Sequence, residues 1–309
     1  MSKFLVTGGA GFIGSNIVDA LVRDGNKLRV LDDFSSGKRE NLSGALNKIE
    51  LLEGDIRDKA IVAKAVLGVD YILHQAALRS VPKSMTNPHF YNDVNITGTL
   101  NILSAAKEAK VKRVVFASSS SIYGETDKLP ETEDLYPLLI SPYALTKLAG
   151  EFYCRIFSSS SKLEAVSLRY FNVFGPRQSL ENEYAVVIPK FINCMLKGEQ
   201  PPVHGDGRQT RDFTYIDNVV QANLKAATAK KASGEVFNIA CGKAYSVLDI
   251  ISAVNKILKK SIKPKFTPPR PGDVKDTLAD ISKAKRILGF DPKIGFEEGM
   301  GRTVASLRG

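Results

Sequence analysis

The chain predicts a doubly wound α/β fold, a parallel (Rossmann) sheet covered by helices on both faces. Three features of its first half predict it. Short apolar runs alternate with runs of helical period, those apolar runs are continuous rather than alternating, and a glycine triplet joins the first strand to the first helix. Continuous apolar strands are buried on both faces, and each crossover between parallel strands lays a helix on the sheet. Lys3 to Thr7 is the first strand; after GGAGFIG, Ile17, Val18, Leu21 and Val22 share one face of a helix over Asn16 to Asp24. Lys27 to Leu31 is the second strand, ending at Asp32 and Asp33. Further strands are expected at Ile49 to Leu52, Tyr71 to His74, Arg113 to Ala117 and Ala165 to Arg169, with helices over Lys59 to Val66, Leu100 to Ala109 and Ser141 to about Phe157. The serines from Ser158 to Ser161 read as a solvated turn. Beyond Asn172 the Gly- and Pro-rich stretches FGPRQ, GEQPPVHGDGRQ and FTPPRPGD predict long loops between short helices, a site-building appendage rather than a second core.

With 309 residues, 43% hydrophobic and 25% charged, the composition is that of an ordinary globular protein with room for one large core. The net charge of +10 favours anionic partners, nucleic acid and phosphorylated metabolites alike, but the basic residues are dispersed and read as a solvated surface. Cys154, Cys194 and Cys241 are far apart, without metal-ligand spacing, so reduced thiols and no metal site are expected. The opening MSKFLVTGGAG is too short an apolar run for a signal peptide, and no stretch approaches the roughly 20 apolar residues of a membrane span. A cytoplasmic protein without membrane partners is the expectation.

Gly8, Gly11 and Gly14 form G-x-x-G-x-x-G between strand and helix. The turn needs positive φ, a pyrophosphate approaching the backbone excludes a Cβ, and the helix start at Phe12 and Ile13 offers unpaired N–H groups to the anion. Asp32, 18 residues after Gly14 at the end of the second strand, fits a carboxylate accepting both ribose hydroxyls and repelling a 2′-phosphate. NAD is therefore expected over NADP, with basic residues nearby only at Lys38 and Arg39. Asp55 and Ile56 follow the third strand at the same edge, in reach of adenine. His74, ending the fourth strand, reads as a satisfied buried histidine rather than a catalytic base.

Tyr143 and Lys147 in SPYALTK lie four apart on one helical face, with Ser141 as cap and Pro142 in the first turn. The helix dipole and the Lys147 ammonium are expected to lower the phenol pKa from about 10, making Tyr143 a base for a sugar or alcohol hydroxyl.

TGGAGFIG, HQAA, SSSSIYG and YxxxK, followed by LRYFNVFGP, GDGRQTRDFTYIDN, FNIACG and RPGDVKDTLADISKA, together resemble the extended short-chain dehydrogenase/reductase family, and within it the nucleotide-sugar 4-epimerases. The likeness spans essentially the whole chain. It implies that Ser119, four residues before Tyr123, shares the substrate hydroxyl with Tyr143, with Ser120 beside it. Related dehydratases and decarboxylases carry an acid between that serine or threonine and the YG pair, where this chain has Ser120, Ser121 and Ile122. The implied reaction is reversible C4 epimerisation of UDP-hexoses through a transient 4-keto sugar and NADH. A dehydratase or decarboxylase is the alternative within the family, and a silent NAD-binding regulator or nucleic-acid scaffold the alternative of another class; the serine run and the intact Ser119, Tyr143 and Lys147 argue against them.

The resemblance further implies that Arg79 contacts the cofactor phosphates, that Asn95 lies near the nicotinamide, and that Asn172, Arg211, Arg270 and Asp273 hold the nucleotide and diphosphate. Thr277 falls at the family's gate position, where a residue smaller than tyrosine leaves room for a 2-acetamido group, so UDP-N-acetylglucosamine and UDP-N-acetylgalactosamine are expected beside UDP-glucose and UDP-galactose. A homodimer through the Tyr143 helix is implied. Residues 1–171, with 212–242 returning, are expected to form the NAD-binding domain, and 172–211 with 243–309 the substrate-binding portion.

Overall fold

The computed structural model describes residues 2–179, 187–269 and 274–308. The first half runs β1 (Lys3–Thr7), α1 (Phe12–Arg23), β2 (Lys27–Asp32), β3 (Ile49–Glu53), α2 (Lys59–Val66), β4 (Tyr71–His74), α3 (Val81–Thr86), α4 (Pro88–Asn92), a π-turn at Asp93–Thr97, α5 (Gly98–Glu108), β5 (Arg113–Ser119), α6 (Pro142–Ser160) and β6 (Glu164–Tyr170). The second half adds β7 (Val173–Phe174), α7 (Val187–Leu196), β8 (Pro202–His204), β9 (Thr210–Asp212), β10 (Thr214–Tyr215), α8 (Ile216–Thr228), β11 (Val236–Ile239), β12 (Ala244–Ser246), α9 (Val247–Leu258), β13 (Lys265–Thr267), α10 (Ser282–Leu288) and α11 (Phe296–Arg308).

Seven parallel strands form the sheet in the order β11-β6-β5-β4-β1-β2-β3, as the apolar runs predict. The pleat sorts β1 between two cores: Val6 faces Ile17, Val18 and Val219 of α1 and α8, while Leu5 faces Val62, Ile102 and Cys154 of α2, α5 and α6. The first core continues past the sheet into α7, α9 and α11, and a small separate cluster joins Tyr123 to Phe171, Ala240, Ala279 and Ile281. Strand order reverses between β1 and β4, opening a crevice at the carboxyl ends of the strands.

Two expectations change. The serines from Ser158 are not a turn: α6 runs through Ser160, because the Ser159 and Ser160 hydroxyls donate back to Ile156 O at 3.1 and 2.7 Å instead of competing with the helix. Past Asn172 four of the helices are not short; α7, α8, α9 and α11 have 10, 13, 12 and 13 residues beside the 7 of α10, while the described parts of the Gly- and Pro-rich stretches are mostly loop, as expected, touched only by the short strand pairs β7/β10 and β8/β13.

Candidate active site

The glycine turn follows β1 at the crevice. Gly8 has φ +66°, and a Cβ there would stand 2.7 Å from Ala76 N; a Cβ on Gly14 would stand 2.1 Å from Gly8 O. The chain's own packing therefore demands both glycines. At Gly11 the nearest obstacle is Gly8 O at 3.3 Å, a close contact but a far milder one than at Gly8 or Gly14. Gly11 also begins α1 without a side-chain cap and with no acid in the first turn, so the N–H groups around Phe12 and Ile13 form an anion cradle suited to a pyrophosphate.

Asp32 ends β2, buried beside this turn, with Oδ2 accepting from Ala10 N at 2.8 Å and Oδ1 from Phe34 N at 2.9 Å. Those bonds fix the carboxylate and leave lone pairs for hydroxyl donors; burial raises its pKa. Arg39 is paired with Glu53 and its guanidinium stacks on Phe34, 4.2 Å from the ring centroid. Asp55 binds Arg57 through Nε and Nη2 at 2.9 and 2.5 Å, which lowers its pKa, while the Ile56 side chain belongs to the core against Gly98.

Four serines close β5, and the pleat divides their tasks. Ser118 donates to Glu151 Oε1 at 2.5 Å, and Glu151 forms a buried two-point pair with Arg169 at 2.9 and 2.8 Å. Ser119 faces the crevice side of α6: its hydroxyl bonds Ser121 Oγ at 3.0 Å, accepts from Ser121 N at 3.2 Å, and meets the Tyr143 phenol. Ser120 and Ser121 form a single 3₁₀ turn with Ile122.

Tyr143 and Lys147 are 9% and 4% exposed on α6, whose start is capped by Ser141 accepting from Ala144 N at 3.2 Å. The expected lowering of the phenol pKa is overturned: burial raises it, and the opposing influences are the bond to Ser119 and the charge of Arg79. Lys147 does not donate to Tyr143. Its Nζ donates to Ala117 O at 2.8 Å, lies 5.9 Å from the Tyr143 ring centroid, and burial pushes its pKa down to about 7. Desolvation of both groups outweighs the attraction between them.

Residues without a sequence signal hold this pair. Ser84 of α3 accepts from Tyr143 N at 3.2 Å, and Thr146 donates to Tyr143 O at 2.8 Å while accepting from Asn95 Nδ2 at 3.0 Å. Asn95 sits in the π-turn, with Nδ2 also donating to Leu78 O at 2.9 Å and Oδ1 accepting from Leu78 N at 2.8 Å. Its amide thus ties the segment before Arg79 to the catalytic helix. His74 is buried between Thr7 Oγ1 at 2.6 Å and Thr99 Oγ1 at 3.0 Å, and burial pushes its pKa down to about 3, so it is neutral.

A third group lies past β6. Asn172, at φ +35°, donates through Nδ2 to Asp212 O and Thr277 Oγ1, both at 3.3 Å. Arg211 donates to Thr210 O at 2.8 Å, Lys275 O at 2.9 Å and Val274 O. Thr277 N donates to Thr210 O at 3.1 Å. Arg270 and Asp273 lie outside the described residues. Among those residues, no cluster of His, Cys, Asp and Glu has metal-site geometry, and no helix is long and apolar enough to cross a membrane.

A glycine turn with its acid at the crevice, and a serine at the end of β5 beside a tyrosine and a lysine of α6, are the parts a site would need to hold a dinucleotide and act on a hydroxyl. The chain belongs to the NAD dependent epimerase/dehydratase family, whose profile matches residues 4–240. It is 42% identical to the solved structure of UDP-N-acetylglucosamine 4-epimerase from Methanobrevibacter ruminantium M1 in complex with UDP-N-acetylmuramic acid, covering 99% of this chain and 98% of that one with a TM-score of 0.95. UDP-glucose 4-epimerase of Mycolicibacterium smegmatis is 37% identical over 310 residues, 99% of this chain and 98% of that protein. UDP-N-acetyl-alpha-D-glucosaminuronate decarboxylase of Bacillus cytotoxicus is 33% identical over 317 residues, again 99% and 98%.

Proposed function

We propose that this protein reversibly inverts C4 of UDP-hexoses, taking UDP-glucose and UDP-galactose and also their 2-acetamido counterparts. The observation that carries this reading is the Ser119 hydroxyl meeting Tyr143, with no carboxylate between Ser119 and Tyr123 to drive loss of water or carbon dioxide. Bound NAD supplies a reversible hydride acceptor, so a C4 carbinol becomes a carbonyl and is restored on the opposite face without net oxidation.

The chain's part is proton transfer and orientation. Tyr143 takes the O4 proton and returns it, Ser119 orients the hydroxyl, and Ser120 borders the sugar. The Lys147 ammonium, with one N–H fixed on Ala117 O, directs its remaining donors to the cofactor ribose. Gly8, Gly11, Gly14, Phe12 and Ile13 cradle the pyrophosphate, Asp32 takes the adenosine ribose, Asp55 and Ile56 border adenine, and Arg79 serves the phosphates. Asn95 acts on the nicotinamide side through Leu78 and Thr146. Asn172, Arg211 and Thr277 line the substrate side. In domain terms, 1–171 with 212–242 hold the cofactor, and 172–211 with 243–309 the substrate.

The exposed face of α6 supports a homodimer. Leu145, Phe152 and Ile156, more than half exposed at 53%, 54% and 53%, share one stripe beside exposed Met85 and Phe90. A second copy covers such a stripe by presenting the same one.

The test is incubation with each of the four UDP-sugars and identification of products by NMR. Formation of the C4 partner supports the proposal; a dehydrated or decarboxylated product, or none, overturns it.

A further inference from the structure

Glu131 is a buried acid that the reaction leaves unused. It is 1% exposed and neither carboxyl oxygen has a hydrogen-bond partner. Its backbone, in contrast, is fully engaged: N–H donates to Leu278 O at 2.7 Å, and the carbonyl accepts from Asp280 N at 2.8 Å and Asn238 Nδ2 at 2.9 Å. Glu131 lies in the loop leading from the serine turn to α6, so this bridge fastens the approach to Tyr143 onto segment 274–280, which carries Thr277. From the other side, Asp276 holds the segment by accepting from Thr210 N and Oγ1 at 3.1 and 2.6 Å, and Arg211 binds the carbonyls of Val274 and Lys275.

The charges that reach the Glu131 carboxyl are those of Asp212, Arg211 and Arg169. Both arginines are committed, Arg169 to Glu151 and Arg211 to backbone carbonyls. Asp212 accepts from Cys241 N and Gly242 N, both at 2.9 Å, and from Ala279 N at 3.3 Å. Of the nearby acids, Glu133 accepts from Asn238 N at 2.8 Å and Asp280 from Ser282 N at 2.7 Å. A negative charge on Glu131 would stand buried, without donors, beside a second carboxylate.

We propose that Glu131 is a positioning residue: its backbone clamps segment 274–280 to the loop before α6 while its buried side chain stays an uncharged acid, and ionisation of that acid releases the segment and weakens substrate binding. Burial and the neighbouring Asp212 push its pKa up to about 8, which sets where release begins. The kinetic consequence rests on the UDP-hexose reading above; the structural one does not.

The test compares wild type with Glu131→Gln, which keeps the shape and cannot ionise, and with Glu131→Ala. KM for UDP-glucose in wild type should rise about tenfold between pH 7 and pH 9, following the fraction ionised, with kcat changing less. In Glu131→Gln and in Glu131→Ala, neither of which can ionise, that rise should vanish. An equal alkaline rise in wild type and Glu131→Gln overturns the proposal. Hydrogen exchange at the Glu131 and Asp280 amides, corrected for intrinsic rate, should lose protection at pH 9 in wild type and keep it in Glu131→Gln. Unchanged wild-type protection also overturns the proposal. If no UDP-hexose turns over, the reaction assignment fails while the exchange result still decides the role of Glu131.

Discussion

The two ends of the crevice, which we assign to the cofactor and to the substrate, are built differently. At the cofactor end, Gly8, Asp32 and Ser119 each sit on the last residue of a sheet strand or directly after it, so the sheet itself brings together residues far apart in sequence. At the substrate end the strands have two or three residues, and segment 274–280 is held by the side chains of Arg211, Asp212 and Asp276 together with a few backbone bonds to Glu131 and Thr210. A sheet edge is rigid by inheritance from the core. A segment held by individual bonds can be released by one of them, which is why we propose it as the place where specificity and pH sensitivity reside.

The largest effect is expected where the rigid end meets chemistry. Tyr143→Phe should lower kcat by at least about 100-fold, the low end of a general acid/base contribution, while the purified variant still carries NAD. Epimerisation at the wild-type rate removes Tyr143 from its role. Next, two alanine substitutions separate packing from ligand binding. Gly14→Ala forces a Cβ against Gly8 O and should cost about 1–3 kcal/mol in denaturant unfolding; Gly11→Ala should leave stability within about 0.5 kcal/mol and instead weaken NAD retention. Equal destabilisation by both would erase the distinction between the glycines.

At the substrate end, Thr277→Tyr should lower kcat/KM for the 2-acetamido sugars by about tenfold or more relative to UDP-glucose. Unchanged acetamido-sugar turnover refutes the gate. The remaining effects are in the pH dependence of stability, and they differ in sign between the two ends. Glu131 loses its proton near 4.5 when unfolded and near 8 when folded, so the folded state binds more protons between those values and stability falls as pH rises through them. Lys147 holds its proton to 10.5 unfolded but only to about 7 folded, so its contribution makes stability rise with pH across that interval. Urea midpoints measured against pH should show the fall flattened in Glu131→Gln and the rise flattened in Lys147→Met.

What could be read in advance follows the same division. The helix Lys59–Val66 and the strand Tyr71–His74 match the expected bounds, because local periodicity and flanking turns determine them. The roles of Ser84, Thr146, Glu151 and Glu131 left no local trace, since their partners come from distant stretches: Ser84 meets Tyr143 from 59 residues away, and Glu151 meets Ser118 from 33. The phenol pKa departs from the sequence expectation for a related reason. Spacing reveals that an ammonium is near, but not that both groups are buried deeply enough for desolvation to dominate. The tail of α6 was cut short because serines bias toward turns only when their hydroxyls are not bonded back to the preceding helical turn.

The alternating sides of β5 carry a consequence for how this protein tolerates change. Ser118 and Ser119 are chemically identical neighbours with opposite addresses, one anchored to the Glu151–Arg169 pair and the other opening on Tyr143. Sliding β5 by a single residue would exchange their addresses without altering the composition of the serine run, leaving an enzyme whose hydroxyls are all present and wrongly aimed. Insertions and deletions should therefore be silent in the loop before Arg113 only when the register with β4 and β6 is preserved.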